Sequence, residues 1–465
     1  MSAPILWIAI PLAAAALLLI PRDERITAIA GSLFSALLAL TAWLLPIDSV
    51  YTLGALVLKL SPSFEILGRR LSLTAADQPL LALIYGAAAV WFAASASLDL
   101  SRRLAPLGLG LTALLVASLA VEPFLYAALL IEMAVLFAVP MLTTPGQAPG
   151  RGALRFLIFQ TFAMPFILFS GWLLAGIEAN PGDMALVLQA AILLGLGFTF
   201  LLALFPFSTW IPLLAGEAPP YLAGFIFWTF PTAGLLFLTG FLERYTWLRT
   251  ASALPTVLAF AGVLMVAAGG ILAAFQRHLG RIMAYAVMVE TGISLLALSL
   301  NTLTGAGLFL ALFAPRLISL AAWSYALTVL RQQAPGLEFR QVKGLGRAWP
   351  YASIGVTLAG LALVGLPLLA GFPIRQALAE ALARSASGTI GWIFLGSLGL
   401  TIAIVRTLAA LAMAPDGTNW EARESQPQKI ILGIGWALLA LLGLFPQWVT
   451  LVMDRLPVVF QHLGQ

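Results

Sequence analysis

The sequence predicts an all-α, polytopic membrane protein of about fourteen transmembrane helices. Three observations predict it. The chain is 61% hydrophobic and only 9% charged over 465 residues, whereas a soluble domain carries about a quarter charged residues. Its apolar residues fall in runs of about twenty, the length that crosses the hydrocarbon of a bilayer. Its arginines stand singly or in pairs between those runs, as topology signals do, so the basic excess points to the lipid bilayer and not to nucleic acid.

The runs centre at about residues 12, 36, 88, 113, 132, 164, 196, 230, 264, 291, 318, 362, 400 and 440. The first, Pro4 to Ile20, has no positive leader and runs into Pro21-Arg22-Asp23-Glu24-Arg25. A cleaved signal has the opposite order, so this is expected to be the first span. The connection from Ile47 to Asp77 holds Tyr51, Thr52, Val57 and Ile66, which predict a short hairpin outside the bilayer. The most polar stretch, Asp416 to Gln428, is expected to be a surface loop. No soluble domain or long linker is visible, so residues 1–465 read as one membrane domain.

Two spans are predicted to be discontinuous. Leu204-Phe205-Pro206-Phe207-Ser208 interrupts the seventh. Gly365-Leu366-Pro367, with Gly371-Phe372-Pro373 after it, interrupts the twelfth. Proline removes an amide donor and clashes one turn back. In a membrane such a break survives only where protein or a water-filled cavity satisfies the freed carbonyls. Paired breaks in two halves of a transporter mark its conduction site. The alternative for Pro206 is a span that ends at the interface. Gly108-Leu109-Gly110 lies in a span and reads as close helix packing. Gly344-Leu345-Gly346 reads as a loop turn.

Loops after odd-numbered spans hold Arg22, Arg25, Arg102, Arg103, Arg151, Arg155, Arg277, Arg281, Arg331, Arg340, Lys343, Arg347, Arg423 and Lys429. Connections after even-numbered spans, with the tails, hold Lys59, Arg69, Arg70, Arg244, Arg249, Arg384 and Arg455. The positive-inside rule then turns both termini outward. All three lysines, Lys59, Lys343 and Lys429, lie in polar connections, and no Lys, Arg or His occurs from Phe156 to Glu243.

The chain has no cysteine and two histidines, His278 and His462. Thiolate metal sites, iron–sulfur clusters and disulfides are excluded, and neither haem nor zinc can be held convincingly by so few ligands. No cofactor, metal or catalytic residue is therefore expected on this chain. Electrons of any redox reaction must travel on another. Five ionisable residues remain inside apolar stretches: Glu132, Glu290, Arg316, Arg375 and Arg406. Charge in hydrocarbon is costly, so these are the candidate proton or ion pathway. Glu132 has no basic neighbour in sequence and reads as a proton-carrying group or a protonated structural acid. Glu290, Arg316 and Arg406 read equally well as structural ion pairs, for example Glu290 with Arg316. Arg406 could also snorkel to an interface.

These residues carry a resemblance. Phe207-Ser208-Thr209-Trp210-Ile211-Pro212, followed by Gly216-Glu217-Ala218-Pro219, resembles a worn form of a motif of the antiporter-like membrane subunits of respiratory complex I. Arg281-Ile282-Met283-Ala284-Tyr285-Ala286, Gly365 to Arg375, and Ile131-Glu132-Met133 are similar to three further motifs of that family. Relatives occur in Mrp-type sodium/proton antiporters and membrane-bound hydrogenases. The resemblance implies two inverted five-helix repeats, here 105–245 and 250–414, flanked by 1–104 and a C-terminal helix within 428–465. It implies a relay with a Glu on span five, a Lys on span seven, a Lys or His on span eight, and a Lys or Glu on span twelve. It also implies partners: other membrane-arm and redox subunits that carry iron–sulfur clusters and flavin, with quinone on a neighbouring subunit. The expected location is the inner or cytoplasmic membrane.

Carried over residue by residue, Glu132 matches the span-five Glu. Arg375 occupies the span-twelve position. Leu201 and Thr232 fall where the span-seven and span-eight lysines would be, and Glu290 replaces the tenth-span His. A buried Lys can titrate near neutrality, whereas Arg stays protonated. The expectation is an antiporter-like membrane-arm subunit of an NADH–quinone oxidoreductase-type translocase, with its relay degraded in the first half and a mainly structural or coupling role. An Mrp-type cation/proton antiporter and a non-transporting scaffold paralogue are the alternatives.

Overall fold

A computed structural model describes residues 2–53, 56–66, 68–98, 100–143, 146, 148–179, 183–413 and 420–448. His462, Arg455 and the last part of the C-terminal span lie outside the described residues. Among those described, eleven helices are long and apolar enough to cross a membrane. Three shorter apolar helices, Ile5–Leu17, Leu104–Ala120 and Pro350–Val364, accompany them. The chain forms two compact units.

The first unit comprises Met1–Pro149, Ala153–Ala203 and Ala233–Arg244. It holds α1 (Ile10–Leu17), α2 (Glu24–Leu44), α3 (Gln78–Ser95), α4 (Leu104–Ala120), α5 (Ala127–Leu142), most of α6 (Arg151–Ala179) and α7 (Met184–Leu201). Asp23 stops the chain before α2 from fraying, because its carboxylate accepts the N–H groups of Arg25 and Ile26 at 2.8 and 3.0 Å. At the other end of α2, Gln78 donates to the carbonyls of Ala42 and Leu45 at 2.8 and 2.7 Å. A helix end is thus closed by a side chain from the next span. The predicted hairpin is two hairpins, β1 (Val50–Leu53) with β2 (Leu56–Lys59) and β3 (Ser63–Ile66) with β4 (Arg69–Ser72). A short β5 (Val121–Glu122) adds to β4, a long-range pairing that no local pattern announces. The close-packing reading of Gly110 holds: a Cβ there would meet the Phe137 ring at 2.7 Å.

The second unit comprises Gly150–Gly152, Leu204–Thr232 and Tyr245–Gln465. It holds α8 (Trp210–Glu217), the first half of α9 (Pro220–Arg244), α10 (Thr246–Arg249), α11 (Leu254–Phe275), α12 (Leu279–Ser299), α13 (Leu303–Ala311), α14 (Phe313–Gln333), α15 (Pro350–Val364), α16 (Phe372–Ser385), α17 (Ser387–Ala412) and α18 (Gln426–Leu444). Helix α12 is its buried axis. Helices α11 and α17 touch backbone to backbone: a Cβ on Gly396 would meet the Val266 carbonyl at 2.7 Å, and one on Gly399 would collide with the Gly270 carbonyl. Small residues permit that approach in a bilayer, where apolar burial does not drive helices together. In the loop before α18, Trp420, Glu421 and Arg423 are exposed as expected. Glu424 instead turns inward and accepts the Ala352 N–H at the start of α15.

Helix stops at both proline-containing segments. Helix α7 ends at Leu201, Ala203 takes a positive φ of 53°, and helix resumes at Trp210 after a short 3-10 turn. Between α15 and α16 the chain turns at Gly365 and Leu368, with φ of 86° and 72°. Between α13 and α14, Leu312 keeps helical dihedrals, so Leu303–Gln333 runs on as one long apolar helix. Pro315 lacks the N–H that would bond the Ala311 carbonyl, and the helix carries on past it. Proline alone is a weak signal, since Pro140, Pro165 and Pro231 sit inside helices that continue through them.

Candidate functional site

Three of the five predicted residues meet in the second unit. Glu290 lies midway along α12. Arg316 follows Pro315 within the long helical run Leu303–Gln333, and Arg375 lies in the first turn of α16, just after the turn at Gly365 and Leu368. Helices α14 and α16 thus bring two guanidiniums to one carboxylate. Glu290, Arg316 and Arg375 are only 3%, 1% and 9% exposed. Arg375 Nη2 donates to Glu290 Oε1. Arg316 Nε stands 3.6 Å from Glu290 Oε2, and its Nη2 donates to the Glu290 carbonyl at 2.6 Å and to Ser294 Oγ. Ser294 Oγ itself donates to the Glu290 carbonyl at 2.9 Å. Arg316 Nε, Arg316 Nη1 and Arg375 Nη1 are buried without a hydrogen-bond partner. The expected Glu290–Arg316 pair is thus a triad with Arg375, and Ser294 completes it. Ser294 was legible only as the residue one turn beyond Glu290.

Arg406 is placed elsewhere. It donates to the Ala274 carbonyl at the end of α11, and its guanidinium lies 5.4 Å from the Phe339 ring centre. A cation at a helix C-terminus is favourable, and Arg406 forms no ion pair among the described residues.

In the first unit Glu132 is half-buried on α5, on the stripe of exposed Leu129, Met133 and Leu136. Thr161 Oγ1 donates to its Oε1 at 2.7 Å, and Oε2 is buried without a hydrogen-bond partner. Glu132 forms no ion pair among the described residues. Nothing in the sequence singled out Thr161. Leu201 is buried at the end of α7, and its carbonyl accepts from the fully buried Gln160 at 3.2 Å. An amide thus satisfies a carbonyl that the break sets free. Thr199 turns back to the Gly195 carbonyl, and Gln189 faces an open groove with Phe169, Trp172 and Ile192. These polar groups therefore make separate local contacts. Thr232, the other vacated position, is buried with an unpartnered hydroxyl.

His278 has a structural part. It caps α12, its Nδ1 accepting the Arg281 N–H at 3.4 Å. Burial, aided by the Arg281 charge, lowers its pKa to about 4, so the imidazole is the neutral acceptor that the cap needs.

The family described as NADH:quinone oxidoreductase/Mrp antiporter, transmembrane, matches residues 168–402, half of the chain. The chain belongs to that family. Its antiporter-like relatives include NADH-quinone oxidoreductase subunit N 2 of Acidobacterium capsulatum, 28% identical over 67% of this chain and 68% of the relative. They also include NADH-quinone oxidoreductase subunit 14 of Thermus thermophilus, 27% identical over 64% of this chain and 67% of the relative. The fold is similar to a chain of respiratory complex I from Thermus thermophilus, with TM-score 0.76 and 20% identity over 99% of this chain and 100% of that one. It is also similar to a chain of the Mrp complex from Dietzia sp., with TM-score 0.79 and 14% identity over 100% and 97%. As a member of this NADH:quinone oxidoreductase/Mrp family, the chain is an antiporter-like, multi-pass membrane subunit.

Proposed function

We propose that this chain is a membrane-arm subunit of a redox-driven, NADH–quinone oxidoreductase-type translocase whose proton relay has degraded in the first half, leaving a mainly structural and coupling role. The observation that carries this reading is the absence of any Lys, Arg or His from Phe156 to Glu243. Within that gap the Leu201 carbonyl is held by the neutral amide of Gln160. Glu132 keeps a carboxylate, with a hydroxyl for partner in place of an amine that could switch its charge. In the second half, Arg375 supplies a fixed positive charge where a titrating amine would be needed. The relatives named above are subunits of oxidoreductases, which supports partners that carry the iron–sulfur clusters, flavin and quinone site.

The architecture that fits this role has fourteen spans. The eleven long helices are joined by the three shorter ones, of which Leu104–Ala120 rises roughly 26 Å at 1.5 Å per residue, close to the hydrocarbon thickness. Inverted repeats at 105–245 and 250–414, termini on the outer face and a cytoplasmic or inner membrane location complete the proposal. Glu132, Glu290, Arg316, Arg375 and Arg406 are its ionisable residues at membrane depth.

The test is proton translocation by the assembled complex in proteoliposomes. Glu132→Gln should leave protons moved per electron unchanged. A clear fall would overturn the degraded-relay reading. Sodium-dependent pH changes without an electron donor would instead support Mrp-type exchange.

A further inference from the structure

We propose that the Glu290–Arg316–Arg375 cluster is a binding site for a small monovalent inorganic anion of halide type. This inference is independent of whether the first half moves protons. The cluster holds two guanidiniums and one carboxylate, an excess of one positive charge. Arg316 and Arg375 are 1% and 9% exposed. A guanidinium does not give up its proton in a protein, so the excess cannot be removed by titration. An uncompensated buried charge is strongly unfavourable.

The resident groups do not cancel it. Glu290 Oε1 is engaged by Arg375, Oε2 faces Arg316, and the Glu290 carbonyl accepts from both Arg316 and Ser294. Two donors remain, Arg316 Nη1 and Arg375 Nη1, both buried and without a hydrogen-bond partner, while Arg316 Nε is taken up in the ion pair with Glu290 Oε2. Free N–H groups beside excess positive charge select an anion and repel a cation. One excess charge selects a monovalent ion. The donors are enclosed within this one chain, which favours an inorganic ion over the carboxylate of a neighbouring subunit. Once the anion is bound the cluster is neutral.

The full chain in lipid nanodiscs tests this. At fixed sodium and ionic strength, gluconate is replaced stepwise by bromide. The melting temperature should rise and saturate, because an ion that binds only the folded state stabilises it by mass action. The anomalous signal of bromide should place one ion between the guanidiniums of Arg316 and Arg375. Arg375→Gln removes the excess charge, so the bromide response should vanish and the variant in gluconate should melt no lower than the wild type in gluconate. Glu290→Gln raises the excess to two and should enlarge the response, which decides the matter if Arg375→Gln does not fold. Superimposable melts in gluconate and bromide overturn the proposal. So does an undiminished response in Arg375→Gln, a response in Glu290→Gln no larger than wild type, or a stabilisation that only the native complex provides. The last outcome points to a partner carboxylate.

Discussion

Among the described residues, Glu290 alone pairs with two buried guanidiniums. Removing this carboxylate leaves both positive charges buried and unmatched, a change that typically costs about 3–5 kcal/mol. Glu290→Gln is expected to lose about that much in gluconate, measured as unfolding of the detergent-solubilised chain. His278 gives a pH dependence with a definite sign. Its folded pKa of about 4 lies below its ordinary 6.5, so the unfolded chain takes up the proton first. The stability of the α12 cap is complete above pH 6.5 and is lost as pH falls towards 4. Melting temperatures across that range should fall in the wild type and fall less in His278→Asn, which caps without titrating. The ionisable residues within apolar stretches were readable in the sequence because charge in hydrocarbon is costly, and so was the pairing of Glu290 with Arg316. The contact with Arg375 was not, because it lies 85 positions from Glu290.

The interrupted helices show how far local chemistry reaches at the level of elements. Gly365-Leu366-Pro367 and Leu204-Phe205-Pro206 combine proline with residues that leave the helix, and both break. Pro315, Pro165 and Pro231 all stay within helices that continue through them. The pattern Pro-in-apolar-run is therefore common to broken and unbroken spans. At the end of α7, the freed Leu201 carbonyl is taken up by Gln160 from another helix, a contact the local pattern does not contain. Gly365 sits at φ 86° against the Arg375 side chain, where a Cβ is disfavoured by roughly 1–2 kcal/mol. Gly365→Ala should lower the melting temperature and displace Arg375. Gly399→Val should separate α11 from α17 at a cost of about 1–3 kcal/mol of overpacking, read from the same unfolding measurement. The contact of Gly399 with Gly270 was invisible in sequence, since a glycine in a span looks alike whether it faces lipid or backbone.

For the molecule as a whole, the absence of cysteine makes orientation directly measurable. Single cysteines at Glu65, in the β3–β4 hairpin, and at Gln333, at the end of α14, lie on opposite sides in the proposed topology. An impermeant maleimide added to intact cells should label Glu65→Cys and spare Gln333→Cys, and the reverse labelling would invert the topology. Membrane class, the order of the apolar runs, the family motifs and the stretch without Lys, Arg or His from Phe156 to Glu243 were all settled by composition and linear order. Hydropathy and charge are local sums, and a bilayer makes each residue answer to them individually. The gathering of Glu290, Arg316 and Arg375, the departure of Arg406 to the end of α11, and the extension of the β3–β4 hairpin by β5 needed the folded chain. Each joins segments far apart in sequence, and such contacts arise from packing geometry, which no window of residues contains.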